Sequence, residues 1–130
     1  MKSVVICASK KFSKEVRQFC EELEKLGVVV YEPNIHDIKE GDDFFHSEHI
    51  TGIVFKGYTL EHFAWIRKAD AVFIYNSNGY VGTSVTLEIG YASALDKPIY
   101  ALSRKTGDHC RDTLIDRVVD SPEKLAALLK

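Results

Sequence analysis

Cysteine, proline and long apolar runs are all scarce in this chain, and each shortage excludes something. Its three cysteines, Cys7, Cys20 and Cys110, are an odd number without metal-ligand spacing. That argues against a disulfide framework and for free thiols in a reducing cytoplasm. Cys7 reads as a core residue and Cys20 as a residue on a helix face. With three prolines and eight glycines in 130 residues, the chain shows no low-complexity linker, and no internal repeat is visible. No apolar run approaches the roughly 18–20 residues that span a bilayer. The opening "MKSVVICAS" is too short in its apolar part for a signal peptide and reads as a buried strand. Positive charge is not in excess either. The net charge is -2, and basic clusters such as the pairs Lys10–Lys11 and Arg67–Lys68 are too short to track a phosphate backbone. A nucleic-acid polymer and a membrane are therefore not expected as partners.

What is present is the ordinary balance of a globular protein, 45% apolar and 28% charged, in a length that suits one domain over residues 1–130. "SVVICAS" is the short apolar run expected of a central parallel strand. In "KKFSKEVRQFCEELEKLG", Phe12, Val16, Phe19, Cys20, Leu23 and Leu26 recur at helical spacing, with Ser13 as N-cap and Gly27 as stop. "VVVYEP" is a second strand. "YTLEHFAWIRKA" is a helix capped by Thr59, "DAVFIYN" a third strand, and "SVTLEIGYASALD" a helix. "KPIYALS" follows as a strand, "GDHCRDTLI" as a short helix or turn, and "RVVD" as a fifth strand. "SPEKLAALLK" closes as a helix with Ser121 at the N-cap and Pro122 at its first position. Strands alternating with helices predict an α/β three-layer sandwich around a central parallel sheet, flavodoxin-like or Rossmann-like.

In such folds, ligands bind beyond the carboxyl ends of the strands. After the first strand that edge receives Ser9 and Lys10; after the third it receives Asn76 and then Gly82, Thr83 and Ser84. Between Thr83 and Leu95 the helix that follows has a single carboxylate, Glu88, among small and apolar residues, one turn inside a helix N-terminus whose partial charge favours anions. His62 starts its helix near the same edge, within reach of a ligand, though its plain reading is a half-exposed surface histidine. Asp70 precedes the third strand and so belongs at the opposite edge, as a polar bracket between helix and strand. Residues 34–56 carry three histidines and several carboxylates in no metal-binding pattern. They read as a lid or loop whose Phe44, Phe45 and Phe55 could close over an aromatic ligand.

The segment "ADAVFIYNSNGYVGTSVTLEIGYASALDKPIY" resembles the nucleoside 2-deoxyribosyltransferase superfamily. Its recurring element is a strand, a Gly/Ser/Thr turn, Glu-x-Gly-x-Ala on a helix, then Lys-Pro and another strand. Here it stands as Glu88, Gly90, Ala92, Lys97 and Pro98. The resemblance implies cleavage or transfer at the N-glycosidic bond of a deoxynucleoside or its 5'-monophosphate, with Glu88 as nucleophile and no cofactor or metal. It also implies self-association, with sites near interfaces. Tyr91 or Ser84 would then donate to the carboxylate, and Gly90 and Ala92 would keep the helix surface low beside a sugar. Six positions before Glu88 many transferases carry an acidic residue, and the nucleotide hydrolases a serine that meets the 5'-phosphate. This chain has Gly82 there, leaving Thr83 and Ser84 to fill the role. The alternative is a nucleotide-binding or sensing module that kept the pocket without turnover. A receiver domain is disfavoured, because "CASKK" and "NSNG" stand where its acidic residues would.

Overall fold

The structure, a computed structural model, describes residues 2–35 and 47–130. Five parallel strands, β1 (Ser3–Cys7), β2 (Val29–Tyr31), β3 (Ala71–Ile74), β4 (Ile99–Ala101) and β5 (Arg117–Val118), form one sheet in the order β2-β1-β3-β4-β5. This is the flavodoxin-like order, whose switch point lies between β1 and β3. The α/β sandwich read from the sequence is the observed one.

The pleat explains the layers. Val4 and Ile6 of β1, with Ala71 and Phe73 of β3, pack against Val16, Phe19 and Leu23 of α1 (Ser13–Lys25) and Leu125 and Leu129 at α5 (Pro122–Leu128). Phe19 stacks on Phe73 with ring centroids 4.8 Å apart. The alternate residues Val5, Cys7, Val72 and Ile74 face α2 (Glu48–Lys68) and α3 (Thr83–Ala94), meeting Ile66, Val85, Ile89 and Ala92. A period of two thus sends Cys7, with Val5, toward α2 and α3.

Helix boundaries follow their caps. Ser9 accepts a hydrogen bond from the Lys11 N–H and opens a 3-10 turn over Lys10–Phe12, so α1 starts at Ser13 and Ser13 is not its cap. The N-cap of α2 lies twelve residues earlier than the sequence suggested, at Ser47 instead of Thr59. Ser47 caps it through the Ile50 N–H, while the Thr59 hydroxyl bonds back to the Phe55 carbonyl inside the helix. A threonine hydroxyl serves either purpose, and here it takes the i−4 carbonyl. Residues 48–56, expected in a loop, are therefore helical; residues 36–46, with Phe44 and Phe45, lie outside the described residues. At the far end of α2 the Lys97 Nζ donates to the carbonyls of Arg67 and Ala69, satisfying orphan C-terminal groups with a cation. Asp70 accepts from the Ser3 N–H and hydroxyl at 2.8 and 3.0 Å, which holds its carboxyl below the ordinary range. Among the described residues, no helix is long and apolar enough to cross a membrane.

The outer side of α3 behaves unexpectedly. The outer face of α3 has no charge yet is exposed, with Leu87 57% accessible. Gly90, expected to sit low against a neighbour, faces open space. An exposed glycine inside a helix loses backbone entropy for no packing return. Gly90→Ala should therefore raise stability by about 0.5–1 kcal/mol, read as a higher melting temperature; a lower one would show that the position is covered.

Candidate active site

Glu88 lies on the same stripe of α3 as Val85, Ile89 and Ala92, which are buried against the sheet. His62 precedes the buried Ile66 by one turn of α2, so it too points at the sheet. Beneath both lies Cys7, at the end of β1. The three side chains meet. The Cys7 Sγ is 3.1 Å from His62 Nε2, which is 3.4 Å from a carboxyl oxygen of Glu88. Side-chain exposure is 7% for His62 and 14% for Glu88.

Burial dictates the charge states. Removal from water pushes Glu88 up to about 8 and lowers His62 to about 4. The Cys7 thiol is pushed well up by burial, helped by the neighbouring Glu88 charge. At neutral pH the trio is therefore a thiol, a neutral imidazole and a carboxylic acid, with little net charge to solvate. These residues are also the group, among those described, whose donor atoms converge closely enough to ligate a metal ion, all within 4.8 Å.

A cavity of about 360 Å³ opens beside them at the carboxyl edge of the sheet. Ala8, Ser9 and Lys10 form one wall, Gly82, Thr83, Ser84 and Val85 another, and Ile35, Phe55 and Tyr80 the apolar remainder. The α3 N-terminus reaches this wall without a side-chain cap, because its N-cap is Gly82. First-turn N–H groups with no capping side chain favour an anionic group. Lys11 sits 3.7 Å from the Tyr80 ring centroid, a cation–π contact that fixes the aromatic wall. Ser84 and Val85 precede Glu88 by one helical turn, so the trio adjoins the cavity without forming part of its lining.

Of the residues singled out in the sequence, Ser9, Lys10, Gly82, Thr83 and Ser84 come together around this cavity. Phe55 joins them, but from a helix rather than a loop. His62 is buried rather than half-exposed, because it shares with Ile66, one turn on, the face of α2 that meets the sheet. Asn76 is not a ligand-facing group. Fully buried, it donates to the Ser103 carbonyl and accepts from the Ser103 N–H, riveting the ends of β3 and β4. Tyr91 turns away from Glu88: its hydroxyl accepts from Arg67 and its ring stacks on Phe63 at 4.4 Å. Sequence reading missed Ile35, Tyr80 and the part played by Cys7. The signal for Cys7 was available, since it shares the strand face of Val5.

Fold and site together define a flavodoxin-like α/β domain with an anion-favouring small-molecule cavity beside a buried carboxyl. The sequence profile of the nucleoside 2-deoxyribosyltransferase family matches residues 7–129, and the chain belongs to that family. No curated protein sequence matches it. Among solved structures it is similar to a 2-deoxyribosyltransferase from the psychrotolerant bacterium Bacillus psychrosaccharolyticus, with 20% identity and a TM-score of 0.64 over 95% of this chain and 90% of that one. It is also similar to a conserved protein from Enterococcus faecalis V583, at 16% identity and a TM-score of 0.60, covering 98% of this chain and 96% of the other.

Proposed function

We propose that this protein cleaves or transfers the N-glycosidic bond of a deoxynucleoside or its 5'-monophosphate, with Glu88 as the nucleophile. The carrying observation is the placement of Glu88, the carboxyl on the buried stripe of α3, one turn behind a helix N-terminus that opens onto a cavity. In the reaction the bond from the anomeric carbon to the base nitrogen breaks and its electrons leave with the base. The carboxylate forms a new C–O bond to that carbon. Water or a second base then displaces the ester, regenerating Glu88. His62 Nε2, 3.4 Å from the carboxyl, would donate its N–H to the ionised form. Ser9, Lys10 and the first N–H groups of α3 would hold a phosphate or sugar oxygen, and Phe55 and Tyr80 would flank the base. The exposed Ile50, Ile53 and Leu60 of α2 and Leu87 of α3 support self-association.

A nucleophile must be ionised, and burial holds this one protonated up to about 8. For deoxynucleosides and their 5'-monophosphates assayed by chromatographic detection of free base, kcat/KM should rise about tenfold per pH unit below that value and level off above it. His62 is neutral throughout this window and should add no second break. Base release with a flat profile from pH 6 to 9 would contradict the assignment. The second reading, a nucleotide-sensing module without turnover, is favoured by the neutral state of Glu88 and its place outside the cavity lining. It requires saturable nucleotide binding with no base released at any pH.

A further inference from the structure

The Cys7, His62 and Glu88 cluster has the composition of a metal-ligand set, although these residues come from three separate elements and share no sequence spacing. We infer that the Cys7 thiolate, His62 Nε2 and the Glu88 carboxylate form a three-ligand site for a borderline-soft divalent cation of the zinc type. Geometry carries the inference. Tetrahedral zinc, with bonds of about 2.3 Å to sulfur and 2.0–2.2 Å to nitrogen or oxygen, holds its ligand atoms roughly 3.3–3.6 Å apart. The two separations here are 3.1 and 3.4 Å, and all three donor atoms lie within 4.8 Å of one another. The third pair, the Cys7 sulfur and the Glu88 oxygen, lies within 4.8 Å and would settle at roughly 3.6 Å around the metal.

The chemistry agrees. Thiolate, imidazole and carboxylate are each zinc ligands, whereas the sulfur and nitrogen disfavour magnesium or calcium, which take oxygen. A divalent cation would neutralise the two anionic ligands it creates, releasing their protons to solvent. Three protein ligands leave a fourth position for water. Glu88, the most exposed of the three, marks the path from solvent.

The ligand set stands independently of the reaction proposed above; its consequence rests on that reading. A carboxylate bonded to the metal is withheld from the sugar, so metal occupancy and turnover should exclude one another. The site would be inhibitory, closing the enzyme when free zinc rises.

The direct test is a titration of metal-free, reduced protein with Co²⁺ without added thiols. The expected result is one cobalt per chain, with tetrahedral ligand-field bands and a thiolate-to-cobalt charge-transfer band that Zn²⁺ displaces. Cys7→Ser should abolish the charge-transfer band. Cys7→Ser and His62→Gln should each weaken binding by more than about 100-fold, beyond the effect of losing an outer-shell partner. Cys110→Ser, which removes an exposed thiol elsewhere, should change nothing. Circular dichroism and melting of each variant separate ligand loss from unfolding, and Glu88→Gln provides a third, size-conserving ligand deletion. No stoichiometric binding, or a charge-transfer band that survives in Cys7→Ser, would overturn the site. A chain that binds cobalt in this way yet keeps full turnover would instead contradict Glu88 as nucleophile, so the two failures are distinguishable.

Discussion

Glu88→Gln should abolish turnover while making the metal-free protein more stable at alkaline pH. The amide conserves size but cannot form the glycosyl ester or neutralise a developing cation, so base release should fall by several orders of magnitude. Affinity for an intact nucleoside should stay within roughly tenfold, because the ground state carries no positive charge at the anomeric carbon. The stability effect follows from linkage. Glu88 titrates at about 8 when folded, against 4.5 ordinarily. The folded state therefore holds this proton more tightly than the unfolded chain does. Its contribution is fully present below about pH 4.5 and is lost as pH rises through 8. Above pH 8 the wild-type chain buries a carboxylate that the glutamine variant lacks. The variant should then be more stable by roughly 2–5 kcal/mol, with the advantage vanishing near pH 5. His62, lowered to about 4, acts in the opposite sense, losing stability as pH falls from 6.5 through that value. Melting curves at pH 5, 7 and 9 for both proteins read the difference. A variant equally destabilised at every pH would assign Glu88 a structural role.

The second large effect is expected at Gly79, where the turn after β3 meets the loop after β4. Gly79 has φ of +81°, and a Cβ built there would lie 1.9 Å from the Lys105 carbonyl oxygen, a backbone atom with little freedom to yield. The surroundings are firmly held. Asn76 makes two hydrogen bonds to Ser103, and the Gly79 N–H donates to the Asn76 carbonyl at 2.8 Å. Arg111 joins the Thr106 carbonyl to the Thr86 hydroxyl on α3. Gly79→Ala combines left-handed strain with this collision and should cost roughly 2–5 kcal/mol, a loss of about 10–20 °C in Tm for a chain of this size. Gly82→Ala is the matched control. Its φ of -84° suits any residue, and its nearest neighbour is the Tyr80 hydroxyl at 3.7 Å, so stability should change by less than about 1 kcal/mol. Equal losses at both glycines would mean that the clamp is not what holds the turn.

The sheet was legible because each strand is a short apolar run and the strands alternate with helices capped by Ser121, Gly27 and similar signals. The cavity wall was legible for the same reason: residues following β1 and β3 must fall at the carboxyl edge, and Ser9, Lys10 and Gly82–Ser84 do. The depth of the site was not. The α2 N-terminus depends on whether Ser47 or Thr59 supplies the cap, and the burial of His62 on which face of α2 meets the sheet, choices made by packing. Asn76 and Tyr91 carry polar groups that suit a ligand equally well, but the clamp to Ser103 and the Arg67 contact are non-local pairings that no spacing encodes. Glu88 itself stood out because a lone carboxylate on an apolar stripe demands a reason.

The nucleophilic role of Glu88 is tested most directly by trapping the sugar on the protein. A deoxynucleoside bearing an electron-withdrawing 2'-fluorine slows breakdown of a glycosyl ester by destabilising the cation-like transition state. After incubation and acid quench, mass spectrometry of proteolytic fragments should find one fluorodeoxyribosyl group per chain, on the fragment containing Glu88, and none in Glu88→Gln. Base release with the sugar attached to a different residue, or undiminished release by Glu88→Gln, would contradict the account.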